Sequence, residues 1–282
     1  MRRSLAIILI AGLSIPAFAF ANNYSLLQKD VLNFQTVLRQ DAGDAMAEKT
    51  QMNVESGSAL FPDPAGLPDK PNADPESASP FVTFRENGIL VVLKDVPRSQ
   101  WFGPYVRDMV DRRIVSGYRN ADGTPTGLFG PERNVSVEEL AKMSVEAAGI
   151  DQNTCPATAK NVTAQGSWSV AYIACTEKLA WALYGDSTVD VKRPATRAEV
   201  VMTLLQALDA PFRPVAGSGS VFKDVGPTTQ FSSAIVTAAA DGVVAGYTDA
   251  NGNLTGMFGP GNAVNRAELS KMFSIALQLY KR

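Results

Sequence analysis

Histidine is missing from this 282-residue chain, and cysteine occurs only twice. Without an imidazole the Ser-His-Asp and Cys-His arrangements are excluded, along with the commonest zinc ligand, so no metal site is expected. Neither sign of charge dominates: 26 Lys and Arg stand against 28 Asp and Glu, a net charge of −2. A mildly acidic chain is a poor partner for nucleic acid or an anionic membrane surface, so no nucleic acid is expected. Long hydrophobic runs are missing too, since the apolar stretch Leu5 to Ile10 falls short of the roughly 20 residues a spanning helix needs.

That stretch follows Arg2 and Arg3 and leads to Ala19-Phe20-Ala21, the pattern of a secretory signal peptide over residues 1–21. Its removal leaves 24 basic against 28 acidic residues. No lipoprotein cysteine stands at the cleavage site, and the C-terminal Leu279-Tyr280-Lys281-Arg282 carries no sortase or tail-anchor signal. The expectation is therefore a protein that, if kept on the cell surface, is held there by binding. Cys155 and Cys175, in an oxidising exterior, read as a disulfide. Closing their loop would stabilise the fold by roughly 3 kcal/mol in the chain-entropy model.

Residues 22–50 read as an amphipathic helix, with Leu27, Val31, Phe34 and Leu38 recurring every three or four positions. Its apolar stripe needs a partner: the main domain, a second copy of the chain, or another envelope protein. Residues 51–80 hold Pro62, Pro64, Pro68, Pro71, Pro75 and Pro80 among small and polar residues, a semi-extended linker. Phe81 to Phe84 and Ile89 to Leu93 flank Asn87-Gly88, which predicts a β-hairpin.

An internal repeat dominates the remainder. Lys94-Asp95-Val96 recurs as Lys223-Asp224-Val225, an offset of 129, and the same offset carries Gly117-Tyr118 onto Gly246-Tyr247. It also carries Phe129-Gly130-Pro131 onto Phe258-Gly259-Pro260, and Lys142-Met143 onto Lys271-Met272. A degraded copy stands between them. There Lys160-Asn161-Val162 replaces Lys-Asp-Val, and Trp168 and Tyr172 keep the spacing of Trp101 and Tyr105. Thr196-Arg197-Ala198-Glu199 parallels Asn265-Arg266-Ala267-Glu268, while the Gly-Tyr and Phe-Gly-Pro elements are lost and both cysteines appear. The disulfide is expected to replace the packing that the missing loop would supply. The repeats run over residues 81–150 with the hairpin, 151–212, and 213–282, each as helix, loop, helix. The first opening helix is predicted from about Trp101 to Arg113, with Trp101, Tyr105 and Met109 on its buried face.

Ser136-x-x-Glu139, Thr196-x-x-Glu199 and Asn265-x-x-Glu268 are capping-box signatures that mark helix starts. Arg197 and Arg266 then occupy the first helical position, where the dipole disfavours a cation by roughly 0.3–1 kcal/mol. A cation held there suggests an anion nearby, either a ligand carboxylate on solvent-open guanidinium groups or an internal partner such as Asp95, Asp224 or a neighbouring Glu. Tyr118 and Tyr247 follow glycines expected at positive φ. Trp101 and Trp168 could stack on a sugar face, though core packing is the reading favoured for this pair. Asp122-Gly123 and the Asp249 to Gly252 stretch read as turns.

The order Asp95-Val96-Pro97, Trp101, Tyr105-Val106, Ile114 to Tyr118, Phe129-x-Pro131 and Thr-Arg-Ala-Glu at 196–199 resembles the S-layer homology family over residues 93–282. The resemblance implies a mainly α fold: three repeats in a pseudo-threefold arrangement around a central three-helix bundle, with the short β-hairpin and the N-terminal amphipathic helix appended. It also implies grooves between repeats that bind secondary cell-wall polysaccharide through a pyruvylated amino sugar. Carried over by position, the glycan-binding candidates are Arg197, Arg266, Asp95, Asp224, Trp101, Ser116, Gly117 and Gly246. Departures from the family pattern are Val137 for the first arginine, Asn161 for the second aspartate, and Gln230 or Phe231 for the third tryptophan. At most two competent grooves are expected.

The expected function is non-covalent anchoring of a secreted protein to the cell envelope, with a cell-wall polysaccharide or peptidoglycan-linked polymer as partner. The alternative is an envelope scaffold protein acting through protein–protein contacts of residues 24–50 without glycan. No cofactor and no catalytic residue are expected, because no separate catalytic domain fits ahead of the first repeat.

Overall fold

Asn87 and Gly88 sit at positive φ, 49° and 82°, the conformation that a two-residue hairpin turn demands. They join β1 (Phe81–Glu86) to β2 (Ile89–Pro97) in an antiparallel pair running from Glu86 opposite Ile89 to Val82 opposite Leu93. Alternation along the strands turns Val82, Val91 and Leu93 into the core. The computed structural model describes residues 79–213 and 222–281, so the leader, the helix expected over 22–50 and nearly all of the 51–80 linker lie outside the described residues.

Helices dominate the described residues. They are α1 (Gly103–Asp111), α2 (Val137–Ala148), α3 (Val170–Lys178), α4 (Arg197–Ala207), α5 (Ser232–Ala240) and α6 (Arg266–Tyr280). Three of them, α2, α4 and α6, begin identically. Ser136, Thr196 and Asn265 each accept a hydrogen bond from the backbone N–H of the glutamate three residues on, and that glutamate accepts one in return. All three predicted capping boxes are formed, each stabilising its helix by about 1 kcal/mol. The other three are short, lack a side-chain cap and are each followed by a left-handed residue: Arg113 at φ 61°, Ala180 at 54° and Gly242 at 77°.

The predicted first helix is too long at both ends, and of Trp101, Tyr105 and Met109 only Met109 is buried. Trp101 precedes α1, and Val106, Met109 and Val110 are the side chains it buries, with Phe102 beside them. In α2, Leu140, Met143 and Ala147 are buried. The short helices pack against the capped ones in a regular order, α1 on α6, α3 on α2 and α5 on α4, while α4 contacts both α2 and α6. Leu140, Leu204, Leu205, Leu269 and Phe273 are fully buried within the capped helices. Each is worth about 2 kcal/mol in removed apolar surface.

The backbone just ahead of the capped helices forms a closed cycle. Val135 N–H donates to the Val264 carbonyl at 2.9 Å, Val264 N–H to Ala195 at 3.3 Å, and Ala195 N–H to Val135 at 2.8 Å. The first helical N–H groups, which an isolated helix leaves unpaired, are satisfied in the same rotation. Val137 and Glu138 donate to Arg193 and Val191, Arg197 and Ala198 to Asn262 and Pro260, and Arg266 and Ala267 to Arg133 and Pro131. Each helix start is thereby pressed against the loop of a different segment. In the middle segment Cys155 and Cys175 form the expected disulfide, 20 residues apart, tying the turn after α2 to α3.

Candidate functional site

Gly117 and Gly246 both adopt φ 79°, and a Cβ there would lie 2.7 Å from the Leu128 carbonyl oxygen and 2.8 Å from that of Met257. Glycine is demanded twice over, by the left-handed backbone and by the close approach of the returning loop. Tyr118 and Tyr247 follow, with backbone N–H groups donating to those same carbonyls. The loop is clamped from the other side. Asp95 accepts from the N–H groups of Phe129 (2.9 Å) and Gly130 (2.7 Å), and Asp224 accepts from Phe258 (2.8 Å) and Gly259 (2.7 Å). Burial raises the Asp224 pKa, but the two N–H donors win and hold it below its ordinary value. The carboxylates of both repeated aspartates are thus engaged in shaping the loop.

The two arginines are not open to solvent as the sequence suggested: each is 6% exposed. The rotation of helix starts carries Arg266 under the first loop, where its Nε donates to the Phe129 carbonyl oxygen at 2.8 Å and its Nη1 to Glu139 at 3.3 Å. Its guanidinium stacks 4.9 Å from the Tyr118 ring centroid and 4.5 Å from that of Phe129. Arg197 is carried under the last loop in the same way, 5.0 Å from Tyr247 and 5.1 Å from Phe258. Its Nε, however, finds no hydrogen-bond partner, and burial lowers its pKa. Aromatic faces, a neighbouring carbonyl and Glu139 therefore offset the unfavourable dipole at the start of α6, while the start of α4 has the faces and the attraction of Glu268 but no partner for Nε.

A crevice of about 630 Å³ opens beside Arg266, within the range of small-molecule sites, about 300–1,000 Å³. Ile114, Val115 and Met143 give it an apolar side, and Ser116, Gly117 and Tyr118 bring the loop to it. Arg119, Glu139, Lys142 and Arg266 supply charge, and Trp168 comes from the next segment. Trp168 is 56% exposed and Trp101 is 54% exposed, so the favoured core reading of this pair is overturned: both stand ahead of their helices instead of within the buried faces. Burial pushes the Lys142 pKa down, Glu146 opposes this, and Arg266 and Arg119 add to it.

At the start of α2, Val137 stands where α4 and α6 carry an arginine, and Tyr184 packs against that helix start. Tyr184 is buried and donates its hydroxyl to the Val137 carbonyl oxygen at 3.1 Å. Burial pushes its pKa far up, so it stays neutral. Glu199, the counterpart of Glu139, pairs with Arg193 of its own segment at 2.6 Å. A side chain from within the segment thus replaces the cation that a neighbour would have brought.

Of the residues singled out from the sequence, Ser116, Gly117 and Arg266 meet in the crevice, and Asp95 lies behind its loop. Arg197, Asp224 and Gly246 belong to the corner 129 residues on, with Lys271 above the Tyr105 ring as Lys142 is above Tyr172. Glu139, Lys142 and Arg119 were not singled out as binding residues. The repeated Lys-Met pair was a signal for Lys142, and Glu139 was absorbed by its capping role.

Comparison with known families agrees with this geometry. The profile of the S-layer homology domain matches residues 92–141 and 221–270, and no curated protein matches the chain. Such domains generally mediate cell-wall anchoring. Each matched stretch contains a Lys-Asp clamp, a Gly-Tyr loop, a Phe-Gly turn and a capped helix start, and at these two places the chain matches the S-layer homology domain.

Proposed function

We propose that this protein is exported and held non-covalently on the cell envelope by binding an anionic, pyruvylated cell-wall polysaccharide in crevices between three repeats. The middle segment, residues 151–212, is the third and degraded copy. The closed backbone cycle through Val135, Ala195 and Val264 supports a pseudo-threefold arrangement. The observation that carries the reading is the crevice beside Arg266, which combines cationic groups, an apolar side and an exposed tryptophan. An anionic sugar needs that combination: a cation for the acid group and an aromatic face for the ring. With Tyr184 packed at the start of α2, two crevices are left for ligand, and their role is binding, not catalysis.

The test is sedimentation of the purified mature chain with wall sacculi. Wild type is expected to pellet, removal of wall pyruvyl groups to weaken pelleting, and Arg197→Ala/Arg266→Ala to abolish it. Because those arginines are buried, Lys142→Ala serves as a half-buried variant that leaves the loops intact and should still weaken binding several-fold, about 1 kcal/mol. Undiminished pelleting of both variants would sink the reading, and pelleting lost only on deleting residues 24–50 would point to a protein partner instead.

A further inference from the structure

The crevice beside Arg266 and the corner 129 residues on are not alike. Arg119 at the first has Thr248 as its counterpart 129 residues on, and Asn120 has Asp249. The first crevice is lined by three cations, Arg119, Lys142 and Arg266, with Glu139 its one anionic lining residue. The counterpart positions hold Lys271 and Arg197 against Glu268 and Asp249. Glu139 is already engaged by Arg266 and by the backbone of its own helix start.

We propose that the first crevice recognises a glycan segment carrying two anionic groups, with Arg266 facing one and the pair Arg119 and Lys142 seating the other, and that Arg119 is the residue that sets this specificity. The inference rests on the glycan-binding reading and adds the class of ligand to it. Arg119 is fixed in place: it pairs with Glu86 at the end of β1, its Nη1 donates to the Gly123 carbonyl at 2.9 Å, and its Nη2 lies 3.5 Å from Ser116 Oγ. The β-hairpin thus props a guanidinium at the crevice mouth, and its side chain remains 42% exposed. Lys142 is held by Glu146 at 3.8 Å. Neither Glu86 nor Glu146 lines the crevice, so both cations are braced by groups outside it and present charge within. Burial is the main cause that depresses the Lys142 pKa, Glu146 opposes it, and Arg266 and Arg119 add a repulsion that a second ligand anion relieves.

Calorimetric titration of the mature chain tests this with two probes: the methyl glycoside of a pyruvylated amino sugar, and the same glycoside carrying a phosphate monoester. Wild type should bind the doubly anionic probe about ten-fold more tightly, about 1.4 kcal/mol. Arg119→Thr should reduce that ratio to about two-fold or less, and Arg119→Lys should retain most of the preference. The ratio controls for damage to the fold, which would weaken both probes alike. A wild-type ratio near one, or a ratio that survives Arg119→Thr, overturns this inference and leaves the glycan reading standing. Absence of binding to either probe overturns both.

Discussion

Arg266 grips Phe129 twice, donating from Nε to its carbonyl oxygen at 2.8 Å and stacking 4.5 Å from its ring centroid. Arg197 keeps only the ring contact with the equivalent Phe258, at 5.1 Å, and its Nε is unpartnered. Arg266→Ala is therefore expected to cost about 2–4 kcal/mol of stability, since it leaves Glu139 without its cation and the Phe129 carbonyl without its donor. Arg197→Ala should cost at least about 1 kcal/mol less. Urea unfolding of the two variants decides the matter, and equal losses would show that the missing Nε bond has no energetic weight.

Gly117→Ala should be markedly worse than Gly123→Ala. Both glycines are left-handed, at φ 79° and 82°, but only at Gly117 would the new methyl meet a backbone oxygen, at 2.7 Å, while nothing lies within 4 Å of the other. Backbone strain alone predicts about 1 kcal/mol at Gly123, and strain with collision about 2–4 kcal/mol at Gly117. Paired thermal melts would measure the difference.

Reducing the Cys155–Cys175 bridge should lower the melting temperature, because its 20-residue separation corresponds to roughly 3 kcal/mol of restricted unfolded chain. Scanning calorimetry with and without dithiothreitol is the measurement, and an unchanged transition would mean that packing around the middle segment suffices without the bridge.

Acid should destabilise the protein through Glu199 and Asp224. Burial raises the Glu199 pKa, yet the pairing with Arg193 and the Thr196 cap outweigh it and hold it below its ordinary 4.5; Asp224 is held below 3.8 by the N–H groups of Phe258 and Gly259. A carboxyl whose folded pKa lies below its unfolded one contributes stability above the unfolded value and loses it as pH falls through the folded value. Unfolding free energy should therefore decline from about pH 5 to about pH 3, and Glu199→Gln should flatten part of that slope. A flat profile in wild type would contradict the assignment.

What was legible in the sequence is what short spacings encode. Capping boxes act over three residues and the hairpin turn over two, so both could be read directly. The Gly-Tyr pairs predict left-handed turns at Gly117 and Gly246, and both glycines adopt one. The fate of the arginines could not be read in the same way, because the partner of Arg266 lies 137 residues away. Nothing local announces which loop a helix start will meet. Trp101 misled for a related reason: helical spacing from Tyr105 placed it on a buried face, yet α1 begins only at Gly103, with Pro104 in its first turn. The contact of Tyr184 with Val137 joins residues 47 apart and left no motif to recognise.

The cycle of amides through Val135, Ala195 and Val264 gives the middle stretch the duty of a keystone. Excising residues 151–212 would leave Val264 N–H without its acceptor and the Val135 carbonyl without its donor, and the two outer copies would face each other like an arch with its crown stone removed. A stretch can thus surrender its loop, its arginine-receiving pocket and its aspartate while its few junction residues stay indispensable to the span.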